Sequence, residues 1–306
     1  MQTLSDILAP FSSHEFFSLH WPHTPLFIEG DGNKFAALLH RAGVQDLASL
    51  TASRKAKVRA CLPDFEDEYS SILLEPADAL KAYRNNMTLV FEKMHEQTEE
   101  LARVLENIRS DLGLLTGGKE NDLCKARSIM YATPAGAGTR LHFDANANFV
   151  IQVSGTKRWW LAKNESVNNP TERFTAGAGE MSAALERQCH AVLLNELPPD
   201  AVEIVMEPGC VLFVPRGYWH ATTTEDDSLS LNFTFGQPSW ADVMTKSLQE
   251  WLLNSEDWRA LADGLESRDE TRRENAIAKF ELLVKKLTAE LPEIAGRQLL
   301  EESGLI

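Results

Sequence analysis

The chain has 306 residues, 43% of them hydrophobic and 25% charged, the balance of an ordinary soluble globular protein built as one large domain or one domain with a smaller appendage. Thirty Lys and Arg against 45 Asp and Glu give a net charge of -15, which argues against non-specific binding to nucleic acid or to an anionic membrane surface. Cys61, Cys124, Cys189 and Cys210 show no C-x-x-C spacing, so neither a zinc knot nor a disulfide framework is expected, and a reducing, cytoplasmic setting is the simpler reading.

The N-terminus, M-Q-T-L-S-D-I-L-A-P, has no basic region followed by a long apolar run, and no stretch approaches eighteen consecutive apolar residues. Neither a signal peptide nor a transmembrane helix is expected. Residues 1–30 read as a short helix, an irregular stretch and a proline-bounded strand in W-P-H-T-P-L-F-I-E-G, with Ser13 as the N-cap of the segment His14–Leu19. His20 and His23 flank Trp21 without a carboxylate or thiolate at useful spacing, and read as packing or surface residues. Residues 33–50 look helical, with Phe35, Leu38 and Leu39 on one side. The basic run T-A-S-R-K-A-K-V-R-A reads as a solvated strand or loop, with contact to an anionic ligand or partner as the alternative. The acidic P-D-F-E-D-E-Y of 63–69 reads as a loop and a candidate rim of a substrate groove. Pro76 opens a helix through Tyr83, and T-L-V-F-E at 88–92 is a buried strand. Residues 95–114 form a long amphipathic helix, with Leu101, Val104, Leu105, Ile108 and Leu112 at helical spacing, ended by Gly117 and Gly118.

From about 121 to 236 the pattern is all-β, with strands expected at 126–132, 148–153, 157–162, 190–196, 202–206, 210–214 and 228–235. Residues 163–187, rich in Asn, Gly and Thr and closing in a short Ala-rich helix, read as an insertion that could cover a site. After Pro238 the chain turns helical. One apolar stripe runs through Trp240, Val243, Met244, Leu248, Trp251 and Leu252, and another through Ala276, Phe280, Leu283, Val284 and Leu287.

The chemistry concentrates in T-R-L-H-F-D and P-R-G-Y-W-H. His142 and Asp144 stand two apart, so on a strand both side chains point to one face. A metal site of two imidazoles and one carboxylate needs one more histidine, and His220 supplies it. Such a facial triad leaves the opposite positions of an octahedral ion open, whereas a structural zinc site is closed. Gly136 and Gly138 precede the first half, and Gly209 and Gly217 surround the second. His142, Asp144 and His220 are therefore expected to hold Fe(II) and to form the catalytic centre.

The block H-F-D-x-x-x-N-F-x-x-Q-V-x-G-x-K-R-W resembles the metal-binding core of the Jumonji-C, cupin-type Fe(II)- and 2-oxoglutarate-dependent oxygenases. It is similar to that of the ribosomal oxygenases and of the asparaginyl hydroxylase acting on hypoxia-inducible factor. E-F-F-x-x-x-W-P-x-x-P-L-x-I resembles the N-terminal opening of the ribosomal oxygenases. The resemblance implies Fe(II), 2-oxoglutarate and O2 as cofactor and co-substrates. It places Lys157, fifteen residues after His142, and Thr139 on the distal carboxylate of 2-oxoglutarate, and Asn148, Asn232 and Tyr131 around it. A buried ammonium needs a partner, which a dianion provides. The alternative reading makes Lys157 and Arg158 an exposed pair at a strand end and Asn148 a turn amide.

The expected fold is mainly β (α+β): a double-stranded β-helix, the jelly-roll of cupins, over 121–237. A segment of α and β elements over 1–120 packs on it, and a helical region follows over 238–306. In related enzymes C-terminal helices mediate dimerisation, which makes this region a candidate homodimer interface. About seventy residues follow the barrel, too few for both dimer helices and the winged-helix domain of the ribosomal oxygenases, a departure that weakens any transfer of a ribosomal-protein substrate. Three functions remain open: hydroxylation of a side chain in a protein or peptide, hydroxylation of a free amino acid or small metabolite, and a non-oxygenase metal-binding cupin. Lys157 argues against the last, and the resemblance favours the first.

Overall fold

The structure is a computed structural model that describes residues 3–63, 70–115, 125–177 and 180–306. Most of the acidic stretch 63–69, together with Gly117, Gly118 and Cys124, lies outside the described residues. The chain divides into two compact units, Met1–Gln237 and Pro238–Ile306.

The first unit opens with helices α1 (Leu4–Leu8) and α2 (Ser13–Leu19). The cap of α2 is Ser12 rather than Ser13: the Glu15 amide donates to Ser12 Oγ at 3.2 Å and the Ser12 amide to Glu15 Oε2 at 2.9 Å, a reciprocal box that Ser13 cannot form with a Phe three residues on. Strand β1 (Leu26–Ile28) follows. The helical stretch expected over 33–50 is two helices, α3 (Ala36–Ala42) and α4 (Leu47–Ser53), parted at Gly43 in the left-handed conformation (φ 65°). The basic run ends α4 and enters β2 (Val58–Cys61), which pairs with β3 (Ser71–Leu74). Then come α5 (Pro76–Arg84), β4 (Thr88–Phe91) and α6 (Glu99–Asp111). Helix α6 buries Leu101, Val104, Leu105 and Ile108. It stops at Gly113 (φ 66°), earlier than the glycines chosen from the sequence.

The β region holds β5 (Lys125–Thr133), β6 (Gly138–Phe143), β7 (Ala147–Ser154), β8 (Lys157–Ala162), β9 (Phe174–Thr175), helix α7 (Ala183–Gln188), β10 (Val202–Met206), β11 (Val211–Val214), β12 (Trp219–Thr224) and β13 (Ser228–Gly236). They form two antiparallel sheets. One has the order β1-β11-β7-β13-β5-β4-β2-β3, the other β10-β8-β12-β6-β9. The elements before β5 thus extend the same sheet as the barrel strands. This is the double-stranded β-helix expected from the sequence.

Residues 190–196 are not a strand. His190 N bonds the Ser166 carbonyl at 3.0 Å, Ser166 Oγ donates to the Val192 carbonyl at 2.6 Å, and Val192 is 88% exposed. Loop 164–167 therefore takes backbone groups that a sheet ladder would need. The main core lies between the larger sheet and helices α1–α6 and includes Phe16, Phe149, Phe213 and Phe235. Smaller clusters around Trp219 and around Trp159 back the second sheet. Among the described residues no helix is long and apolar enough to cross a membrane, and Cys61, Cys189 and Cys210 are free. The second unit contains α8 (Trp240–Leu252), α9 (Glu256–Arg259), α10 (Glu270–Glu290) and α11 (Gly296–Glu302).

Candidate metal centre and its cleft

Strands β6 and β12 are hydrogen-bonded neighbours, and their register sets His220 directly opposite His142. A residue with a side chain at position 138 would place its Cβ 1.9 Å from the Thr222 carbonyl oxygen, so glycine is what lets the two strands approach. Asp144 lies just past the end of β6. Gly217, at φ 80°, turns the chain into β12, and its amide donates to the Asp144 carbonyl at 2.8 Å. One backbone bond thus ties the two halves of the motif together.

The result is a cluster in which one donor atom each from His142, Asp144 and His220 lies within 4.8 Å of the others. The imidazole centroids are 4.0 Å apart, and His220 Nε2 is 3.8 Å from Asp144 Oδ2. Nδ1 of His142 faces the Arg140 carbonyl at 2.7 Å, and Nδ1 of His220 the Tyr218 carbonyl at 2.9 Å. A carbonyl only accepts, so each Nδ1 carries the proton and each Nε2 presents a lone pair to the cluster. Burial, reinforced by the adjacent His142, holds His220 well below the usual imidazole range and keeps it neutral. Asn148 Nδ2 donates to Asp144 Oδ2 at 3.1 Å, and Thr234 Oγ1 donates in turn to Asn148 Oδ1 at 2.8 Å. Two imidazoles and a braced carboxylate are a fitting donor set for Fe(II).

The cluster opens into a cavity of about 550 Å³ between the two sheets, lined among others by Thr139, Lys157, Tyr131, Asn148 and Asn232. Lys157 turns inward on β8 and is 5% exposed. Arg158 turns outward to Glu203 and Glu225, so the two residues are not an exposed pair. The Lys157 ammonium lies 3.5 Å from Thr133 Oγ1 and 5.9 Å from the centroids of Tyr131 and Trp159, and no carboxylate among the described residues pairs with it. Burial pushes its pKa down to about 8. Burial also raises the Tyr131 phenol, with Asp144 adding to the effect. Thr139 Oγ1 is 2.9 Å from Thr222 Oγ1, and Asn232 Oδ1 is buried without a hydrogen-bond partner. The buried Lys157 ammonium, with no described carboxylate beside it, is a charge that an anionic ligand in this cavity would neutralise.

Several lining residues escaped the sequence. Strand β9, from the insertion after β8, pairs with β6 at His142 and Phe143, and Arg173 just before it reaches Asp144 Oδ1 at 3.4 Å. Burial and then the neighbouring Arg59 push Arg173 down to about 10. Arg59, Arg127, Arg140, Thr222 and Ser230 also line the cavity. The Asn- and Gly-rich insertion carries no periodicity that marks Arg173, whereas Arg59 lies in the basic run, for which contact with an anionic ligand is the alternative to a solvated strand or loop.

Residues 118–243 match the JmjC domain family. Fold, donor set and this match define the class: the chain carries a JmjC-type domain of the 2-oxoglutarate-dependent oxygenases. Over 303 residues it is 29% identical to the uncharacterised protein YxbC of Bacillus subtilis (strain 168), covering 97% of this chain and 90% of that one. It is 23% identical to the bifunctional lysine-specific demethylase and histidyl-hydroxylase NO66 of Drosophila persimilis over 80% of this chain but 33% of the relative, so it spans only a third of that protein. In fold it is similar to YcfD, a ribosomal oxygenase of Escherichia coli solved with cobalt and succinic acid, with a TM-score of 0.51, 14% identity, and coverage of 91% and 67%.

Proposed function

We propose that the protein is an Fe(II)- and 2-oxoglutarate-dependent dioxygenase that hydroxylates a side chain of a protein or peptide. The observation that carries this is the buried Lys157 ammonium, unpaired by any described carboxylate, in the cavity that holds His142, Asp144 and His220. A plain metal-binding cupin has no use for it. In this reading the three clustered residues hold the iron through Nε2, Nε2 and a carboxylate oxygen. Lys157 and Thr139 receive the distal carboxylate of 2-oxoglutarate, with Asn232 and Tyr131 beside it. Asn148 orients Asp144 rather than touching the co-substrate, because its amide nitrogen and oxygen bond Asp144 and Thr234. With Fe(II) and 2-oxoglutarate bound, the centre supplies the oxidative decarboxylation by O2 that yields succinate and CO2 and inserts one oxygen atom into a substrate C–H bond. The chain's own share is to anchor, orient and keep water out, with the rings of Trp159 and His220 stacked 5.7 Å apart on one wall.

A protein substrate is favoured by the relatives, whose names describe a histidyl-hydroxylase and a ribosomal oxygenase. A cytoplasmic setting agrees with the free thiols. We also read α10 as part of a homodimer interface. Among its 21 residues none is buried, and Phe280 (56%) and Leu282 (63%) are exposed.

Anaerobic titration of the iron-loaded protein with 2-oxoglutarate, followed by the visible metal-to-ligand charge-transfer band, tests the reading. The band should appear in the native protein and vanish in Asp144→Ala. Lys157→Ala should weaken 2-oxoglutarate binding about ten- to a hundredfold, the loss of one charge-assisted contact. Bound iron without any band would leave a plain cupin.

A further inference from the structure

A second cavity, of about 570 Å³, lies beside the iron cleft and shares Arg59 and Glu92 with it. Those two side chains pair at 2.6 Å on the common wall. The second cavity is lined by Lys55, Lys57 and Lys93 from the basic run and the end of β4. Arg54 lines it too, but the carbonyls of Ala56 and Glu92 take its donors. Inside the first cavity stand Arg127, Arg140 and Arg173. Setting aside Arg54, Lys157 and the Arg173–Asp144 pair, six cations line the two cavities against three carboxylates among the described residues, Glu92, Glu96 and Glu172. The whole chain carries -15. Among the described residues the sign of the charge therefore reverses along these two adjoining cavities.

We propose that the substrate is an acidic protein segment whose carboxylates lie along Lys55, Lys57, Lys93 and Arg59 and continue to the arginines at the iron cleft. The inference rests on the dioxygenase reading and adds the substrate's charge to it. Lys57 and Lys93 are already paired, with Glu75 at 3.5 Å and Glu96 at 3.0 Å, yet all four side chains are more than half exposed. Exposed pairs of this kind are weak, so a substrate carboxylate exchanges into them at little cost. A cationic track on an anionic body also steers an acidic segment to one place, because the remaining surface repels it. A free metabolite would occupy the iron cleft alone and leave the second cavity without a role.

The test uses the full chain with Fe(II) and 2-oxoglutarate under anaerobic conditions, and the anisotropy of fluorescein-labelled decapeptides of alternating Glu–Ala and Lys–Ala. The Glu peptide should bind at least about tenfold tighter than the Lys peptide, and raising salt from about 50 mM to about 500 mM should weaken it strongly. The double variant Lys57→Glu/Lys93→Glu should lose about tenfold in affinity for the Glu peptide. Lys163→Glu, a charge reversal at an exposed lysine outside both cavities, should not. Equal or tighter binding of the Lys peptide, or an equal loss in Lys163→Glu, would overturn the proposal. Displacement by free glutamate as effective as by unlabelled Glu–Ala peptide at equal carboxylate concentration would overturn it in favour of a small acid. The charge-transfer titration is a separate readout. If that band is absent while the Glu peptide binds, the dioxygenase reading fails and the acidic track stands. If the band is present without peptide preference, the track fails alone.

Discussion

Lys157 is the residue on which stability and function pull apart. Its ammonium is buried with no described anion beside it, and burial brings its pKa from 10.5 to about 8. A lowered lysine pKa means that the folded protein binds fewer protons than the unfolded chain between about pH 8 and 10.5, so stability rises with pH through that window. Below it the penalty is fully present, at about 3 kcal/mol. Lys157→Met should therefore stabilise the ligand-free protein below pH 8 by an amount of that order, and the gain should shrink towards pH 10.5. Thermal melts of both proteins across this range measure it, and a Met variant less stable at pH 7 would show that the lysine already has an anionic partner. At this scale the sequence was informative where spacing carried the chemistry. His142, Asp144 and His220 follow from H-x-D and a distant turn histidine. Asn148 braces Asp144 from four residues away, but Thr234, which holds Asn148, lies 86 residues further on and meets it only because β7 and β13 pair.

Among the elements, β6 and β12 hold the donors, yet neither stood out as a strand. G-T-R-L-H-F and W-H-A-T-T-T place polar residues where they line a cavity, so the usual alternation of apolar and polar is lost. Their pairing rests on Gly138. Gly138→Ala would drive a methyl group to within 1.9 Å of the Thr222 carbonyl oxygen. It should destabilise the fold by about 1–3 kcal/mol and part the two imidazoles, lowering the melting temperature and abolishing the charge-transfer band together. A variant with native melting and native band would mean that the strands have slack. The strand expected at 190–196 failed for the opposite reason: A-V-L-L is apolar enough, but loop 164–167 binds its backbone and Val192 faces outward. Strand β9 is only two residues long and gains its place from pairing with β6, which no local pattern records.

For the whole molecule, the net charge described the body and not the cleft. A net charge of -15 over 306 residues conceals, among the described residues, a path of the opposite sign. The periodicity changes after Pro238, the residue at which the second compact unit begins. The second unit yields its own prediction. If α10 forms a homodimer interface, sedimentation should show a dimer for the native chain and a monomer for Phe280→Asp/Val284→Asp, two exposed positions one turn apart. A native chain that sediments as a monomer would remove the interface.

The bond from the Gly217 amide to the Asp144 carbonyl joins parts of the chain that are made at different times. His220 leaves the ribosome seventy-six residues after Asp144. At about 5–20 residues per second this is a delay of roughly 4–15 s. Through that interval the nascent chain carries two of the three clustered donors, His142 and Asp144, and lacks the third. The three-donor cluster is therefore complete only once β12 has paired with β6.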